Sequence, residues 1–324
     1  MHRREWFKLI TCGFALAAWR SAGSAEAVRK IGLLIINGGY ENEWEALLKR
    51  LAGLGWVDGK NIKIIYKYSQ NDMSKIPQHV QELVAEKVEL IAAQSTIGAA
   101  IAGKRAGGIP VVGVGMFDPI ASGAVTDLAK PGGYITGTSY LANDITLKTL
   151  ELVRLVLPQA KNIAVLINPN GTMRNYLVDL FDQQSPSLGF QNTNFFASTE
   201  SEIAEAFSKA AVGQFDAMVI CQNPFFAQQR VQLADLGIRY KLPTIAQWSR
   251  YVEDGVLASY GNDITATYPE TAKFIDQILR GGSIANMPIE QSSTYEMAIN
   301  LNTADKLGIT ISGELQLRAN KLIQ

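Results

Sequence analysis

Short apolar runs alternate with helix-patterned segments along most of the chain, and this alternation limits the fold more than any other feature. Ile31–Ile36 is an apolar run followed by Gly38-Gly39 and then by helical spacing over Glu41–Leu51. Ile62–Tyr68, Leu90–Ala93, Val111–Val114 and Ile135–Thr138 read as further strands. Between them, Asp72–Lys87 places Met73, Ile76, Val80, Leu83 and Val84 on one side of a helix, and Ser95–Ala106 reads as a helix of small residues. Short apolar strands alternating with helices predict parallel βαβ units whose helices cover both faces of a sheet.

The pattern then restarts. Thr146–Leu157 reads as a helix closed by Pro158, and Ile163–Ile167 as a strand ending in Asn168-Pro169-Asn170-Gly171. Helices are predicted over Met173–Gln184, Glu200–Ala211 and Phe226–Tyr240, and strands over Asn192–Phe196, Ala217–Cys221 and Thr244–Ala246. The last third supplies only Val256–Tyr260, a helix over Tyr268–Leu279, Tyr295–Asn300 and a final helix, too few units for a third domain. The economical arrangement is two α/β lobes with parallel sheets, the chain returning to the first lobe and then to the second. The expected division is 28–139 with 249–287 in an N-terminal lobe, and 140–248 with 288–324 in a C-terminal lobe. Such a pair leaves a cleft between strand C-termini, where α/β sheets place their ligands.

Residues 1–27 read as a removable export signal. His2, Arg3, Arg4 and Lys8 make a basic start, Leu9–Trp19 an apolar run, and Ala25-Glu26-Ala27 fits an A-x-A cleavage pattern. As a helix that run spans about 16 Å, well short of a hydrocarbon core of roughly 30 Å. Arg3-Arg4 also fits the twin-arginine route. Lipidation at Cys12 is disfavoured by the short apolar run before it and by Thr11. The expected location is therefore the periplasm.

Hydrophobic residues make up 47% of the 324-residue chain and charged residues 19%, enough to fill two cores. The formal net charge is zero and no run of lysine or arginine stands out, which argues against nucleic acid or an anionic membrane surface as partner. Removal of the signal takes Cys12 with it and leaves Cys221 alone, without a disulfide partner. Because Cys221 ends the run Ala217-Met218-Val219-Ile220, it reads as a buried strand-end thiol.

Catalytic patterns are not found. His79 is the single histidine of the mature chain and lies in a helix pattern, so neither a zinc site nor a Ser-His-Asp set is supported. There is no G-x-S-x-G elbow, and the glycine pattern begun at Gly113-Val114-Gly115 breaks at Asp118. No cofactor or metal is expected. Paired carboxylates of a secreted hydrolase stay open, because spacing in sequence does not exclude them.

The strand exits instead carry recognition groups. Ser95 and Thr96 open a helix, where hydroxyls and free amides suit an anion, and Ser95 also serves a plain capping role. Phe117 and Asp118 follow the fourth strand, while Asn168 and Asn223-Pro224-Phe225 occupy corresponding exits in the second half. Tyr40, Tyr140 and Trp248 fall at other exits or hinges. Aromatic walls with a few polar anchors describe a small-molecule cleft. The candidate ligand-binding set is therefore Tyr40, Ser95, Thr96, Phe117, Asp118, Tyr140, Asn168, Asn223, Phe225 and Trp248.

From end to end the chain also resembles a known family. Leu54-Gly55-Trp56-Val57-Asp58-Gly59-Lys60-Asn61-Ile62, Ile109-Pro110-Val111-Val112, Asp118-Pro119 and Pro131-Gly132-Gly133-Tyr134-Ile135-Thr136-Gly137 stand in the order and spacing of its landmarks. Asn168-Pro169-Asn170, Asn223-Pro224-Phe225-Phe226, Ser259-Tyr260-Gly261 and Tyr295–Asn300 continue the series. The family is that of ABC transporter substrate-binding proteins of the tryptophan/tyrosine-binding-like type. The resemblance implies a type I periplasmic-binding fold, two Rossmann-like lobes joined by three hinge crossings, with a ligand captured by closure. It also implies an inner-membrane ABC permease as partner, and a monomer is expected. The segment Ser95-Thr96, Asp118 and the Asn168 and Asn223 loops would then line the cleft. Two departures stand out: Gln94-Ser95-Thr96-Ile97 replaces the family's small-residue exit, and Asn223 replaces the aspartate of its "DPFF" stretch. An aromatic amino acid is therefore not carried over as the ligand. A sensor subunit for a membrane receptor would share the same fold.

Overall fold

The computed structural model describes residues 28–36, 41–70, 72–171 and 173–324. The expected export signal at 1–27 and the candidate Tyr40 lie outside the described residues. The first lobe opens with β1 (Arg29–Ile35), β2 (Ile62–Tyr68), β3 (Leu90–Gln94), β4 (Val111–Phe117) and β5 (Ile135–Tyr140). The second supplies β6 (Asn162–Ile167), β7 (Gln191–Phe196), β8 (Ala217–Ile220), β9 (Thr244–Ala246) and β10 (Ala258–Asn262). The chain ends with β11 (Ile289–Gln291), β12 (Tyr295–Asn300) and β13 (Lys321–Ile323).

These strands form two sheets, in the orders β11-β5-β4-β3-β1-β2 and β13-β12-β10-β9-β8-β6-β7. Among the described residues every strand pairing is parallel except β10 with β12. Central strands such as β1 and β3 are buried on both faces, which explains their unbroken apolar runs. In both sheets the chain order reverses next to the first strand, at β1/β3 and at β6/β8. The crevices outside these strand ends face each other.

The chain passes between the sheets three times, after β5, after β10 and between β11 and β12. Strand membership corrects the expected division at 249 and 287. β10 pairs with β9 and β12 in the second sheet, whereas the helix Ile264–Leu279 packs on β4 and on the helix Glu41–Gly53 of the first lobe. Trp56 Nε1 donates to Asp276 Oδ1 at 2.7 Å and ties that returning helix to residues more than two hundred positions earlier. An apolar run does not say which sheet edge it will join, so this boundary was not readable from the pattern. The segment predicted as one helix over Phe226–Tyr240 is two, Pro224–Gln228 and Arg230–Arg239, and β11 and β13 were not anticipated.

Local sequence explains several of the boundaries. The helix Glu200–Val212 starts in a capping box in which Thr199 and Glu202 satisfy each other's backbone amides. Asp263 Oδ1 accepts from Thr265 N at 2.9 Å and sets the start of Ile264–Leu279 at the second crossing. Gly137 in β5 has φ of +127°, and a Cβ there would lie 2.1 Å from the Gly113 carbonyl oxygen, so only glycine permits the close β4–β5 approach. One apolar cluster includes Leu33 and Trp44 of the first lobe, Tyr268 of the returning helix, and Trp248 and Tyr251 of the second lobe. The lobes therefore share a seam beneath the cleft.

Candidate functional site

A cavity of about 440 Å³ lies between the lobes, walled by the C-terminal ends of β3, β4 and β5 on one side and by the exits of β6, β8 and β9 on the other. Eight of the ten predicted residues line it: Ser95, Thr96, Phe117, Tyr140, Asn168, Asn223, Phe225 and Trp248. Phe117 and Tyr140 meet at 5.8 Å between ring centroids, and Trp248 stands edge-on to Tyr251 at 6.1 Å. Trp44 packs edge-on against Tyr268 at 5.0 Å and backs the wall that Tyr268 provides. Paired rings of this kind hold one another in fixed orientations.

The polar groups divide into those already committed and those left over. Thr96 Oγ1 donates to the Phe117 carbonyl at 2.8 Å, tying the two strand exits together. Asn168 Nδ2 donates to Asn223 Oδ1 at 3.1 Å, and Asn168 Oδ1 accepts from Asn170 N at 2.9 Å, so Asn168 is largely spent on its own turn. Asn223 Oδ1 also caps the helix Pro224–Gln228 by accepting from Phe225 N at 2.9 Å. Ser95 has φ of +62°, and its Oγ is buried without a partner among the described residues. Left-handed backbone is uncommon for serine and marks a constrained position.

Asp118 is the exception among the predicted residues that are described, and does not line the cavity. Its Oδ1 accepts from Ala121 N at 3.0 Å, and its Oδ2 faces Ala142 N at 3.4 Å, across the first crossing. With φ of +41°, it turns away from the cleft into the 118–125 loop. Burial first, and the Asp118 charge second, raise the pKa of the Tyr176 phenol on the second lobe. Asp118 is thus a hinge residue, a role that a carboxylate beside a strand exit does not announce.

Gln94, Gln222, Tyr268 and Arg174 are among the wall residues that were missed. Gln94 Oε1 accepts from Ile36 N at 2.7 Å, while its Nε2 donates to Tyr268 Oη at 3.0 Å. Gln222 Nε2 donates to Tyr140 Oη at 3.3 Å, and its backbone N donates to Gln247 Oε1 at 2.9 Å. The adjacency of these glutamines to Ser95 and Asn223 was an available signal. Tyr268 arrives from a helix distant in sequence and had none. Arg174 begins the helix Arg174–Gln184 and sets its guanidinium 4.6 Å from the Phe196 ring centroid. Burial pushes the Tyr140 phenol up to about 12 and lifts the Cys221 thiol far above its ordinary range. Both therefore present neutral groups at physiological pH. Among the described residues no group of three or more His, Cys, Asp or Glu side chains could hold a metal ion.

The description "ABC transporter substrate binding protein" names the family that matches residues 33–323. The chain belongs to that family. The tyrosine-binding protein of Clostridioides difficile (strain R20291) is 30% identical over 278 residues, covering 86% of this chain and 79% of that protein. The ABC domain of Streptococcus pneumoniae in complex with L-Trp is similar at 26% identity and a TM-score of 0.85, over 92% of this chain and 100% of that one. A ligand-free, open substrate-binding protein from Clostridium difficile is similar at 27% identity and a TM-score of 0.71, with the same coverage. The architecture is the type I periplasmic-binding-protein fold. As an ABC-type solute-binding protein, the chain uses that fold's crevice between facing strand ends for its cavity.

Proposed function

We propose that this substrate-binding protein captures a small aromatic molecule between its lobes and presents it to an inner-membrane ABC permease, without transforming it. The carrying observation is the cavity itself, which draws Phe117 and Tyr140 from one lobe and Phe225 and Trp248 from the other. A volume of about 440 Å³ suits a small ligand. The tyrosine and L-Trp in the descriptions of the two relatives support an aromatic guest. The basic, apolar and small-residue pattern of residues 1–27 supports export to the periplasm, where a monomer would act.

Closure follows from the two-sided wall. A ligand that touches both halves stabilises only the arrangement that brings them together, so binding shifts the population toward it. The higher similarity to the L-Trp complex than to the ligand-free open protein supports reading this conformation as closed.

The test is a thermal-shift and small-angle scattering series on purified residues 28–324 with aromatic acids, aromatic amino acids, aliphatic amino acids and sugars. The expected result is saturable stabilisation by an aromatic compound, about 2.7 kcal/mol at 100 times Kd, with a smaller radius of gyration and no product formed. Stabilisation confined to sugars or aliphatic compounds, or turnover of the ligand, would defeat the proposal.

A further inference from the structure

Arg174 is the one Asp, Glu, Lys, Arg or His side chain among the described residues that line the cavity. The internal residues outside the description, Asn37 to Tyr40, Asn71 and Thr172, include no carboxylate either. Asp118, the carboxylate that follows the wall residue Phe117, is taken up by Ala121 N and Ala142 N. Among the described residues the wall thus offers one positive charge, the solvent-exposed Arg174, and no carboxylate.

Two of the uncommitted hydrogen-bonding groups lean the same way, although Gln222 Oε1 is left over as an acceptor. Asn223 spends its Oδ1 on Asn168 and Phe225, which leaves its Nδ2 as a donor beside the cavity. Ser95 Oγ is buried and unpartnered among the described residues. It opens the helix Ser95–Arg105, whose first-turn amides have no partner within the helix and receive no side-chain cap from Gln94. A carboxylate only accepts hydrogen bonds and carries the opposite charge to Arg174. An ammonium only donates, and burying it without a counter-charge is costly.

We infer that the ligand is an aromatic carboxylic acid without an amino group, its ring held by the aromatic wall and its carboxylate by the donors around Ser95, Asn223 and Arg174. The inference rests on the aromatic-cleft reading above and narrows it to one charge class. The two relatives whose descriptions carry tyrosine and L-Trp would then differ from this chain in the charge of what they hold.

Calorimetry with matched probes tests this. One set is indole-3-propionate, L-tryptophan and tryptamine; the other is 3-(4-hydroxyphenyl)propionate, L-tyrosine and tyramine. At least one propionate is expected to bind tenfold or more tightly than its amino acid, with both amines silent. Arg174→Gln should weaken that propionate at least fivefold without lowering the melting temperature. Asn223→Asp keeps a good helix cap, so it should fold, and it should weaken the propionate while strengthening the amino acid. An amino acid that binds the native protein as well as its propionate, or better, overturns the charge assignment and leaves the aromatic reading standing. Silence from all six probes overturns both.

Discussion

Gln222 Nε2, just past β8 of the second lobe, donates to the Tyr140 hydroxyl at the end of β5 in the first, at 3.3 Å. Both residues line the cavity, so this bond spans the two halves of the wall next to the first crossing. Removing the hydroxyl with Tyr140→Phe keeps the ring and deletes the bridge. A single hydrogen bond of this kind contributes about 1 kcal/mol, so ligand affinity should fall roughly fivefold. Titration calorimetry reads the affinity, and scattering on the ligand-free protein should show a more open average shape. Unchanged values for both would remove the bridge from the closure mechanism.

The close approach of β4 and β5 predicts a large stability effect away from any charged group. Gly137→Ala would set a Cβ 2.1 Å from the Gly113 carbonyl oxygen, at a backbone angle that alanine rarely adopts. Strain and forced backbone movement together should cost about 2–4 kcal/mol. Urea denaturation of the two proteins checks this, and a loss under 1 kcal/mol would contradict it.

Glu296 on β12 is half-buried and shares a hydrogen bond with Ser249 Oγ. Burial raises its pKa above the ordinary glutamate value, and the Ser249 bond only partly opposes this. A raised acid binds its proton more tightly in the folded state. Its ionisation therefore costs stability as pH rises through the folded pKa, and that cost disappears below the unfolded value. Glu296→Gln should raise the melting temperature at pH 7 to 8, and the gain should vanish toward pH 4. A constant difference across that range would rule out the titration of Glu296 as its source.

Cys221 is 1% exposed, and burial strongly favours its neutral thiol. The native protein should therefore react with a thiol reagent at pH 8 only as fast as it opens, with full reactivity in denaturant. Because Cys221 lines the cavity, a tight ligand should slow the native reaction further. Immediate stoichiometric labelling of the folded protein would contradict this.

Residues at strand exits were the most legible part of the site. Ser95, Phe117, Asn168 and Asn223 each follow a recognisable apolar run, and a parallel sheet brings such exits to one edge. Asp118 shares that position, yet its backbone turns the carboxylate into the hinge, because a one-residue change in φ redirects a side chain entirely. Tyr268 was illegible for the opposite reason: its helix reaches the wall by returning to the first lobe from the far end of the chain.

The sequence by itself determined two rounds of strand–helix alternation, and with them two largely parallel sheets and the edge where aromatic and amide side chains would collect. Those are local consequences of periodicity, which each segment carries alone. Only the tertiary structure decided that β10 joins the second sheet and β11 the first, that Gln94 and Gln222 reach Tyr268 and Tyr140, and that Arg174 supplies the single charge among the described residues of the wall. Those outcomes depend on which surfaces meet after the chain has crossed between lobes three times. Such meetings are set by packing over the whole molecule rather than by any window of sequence.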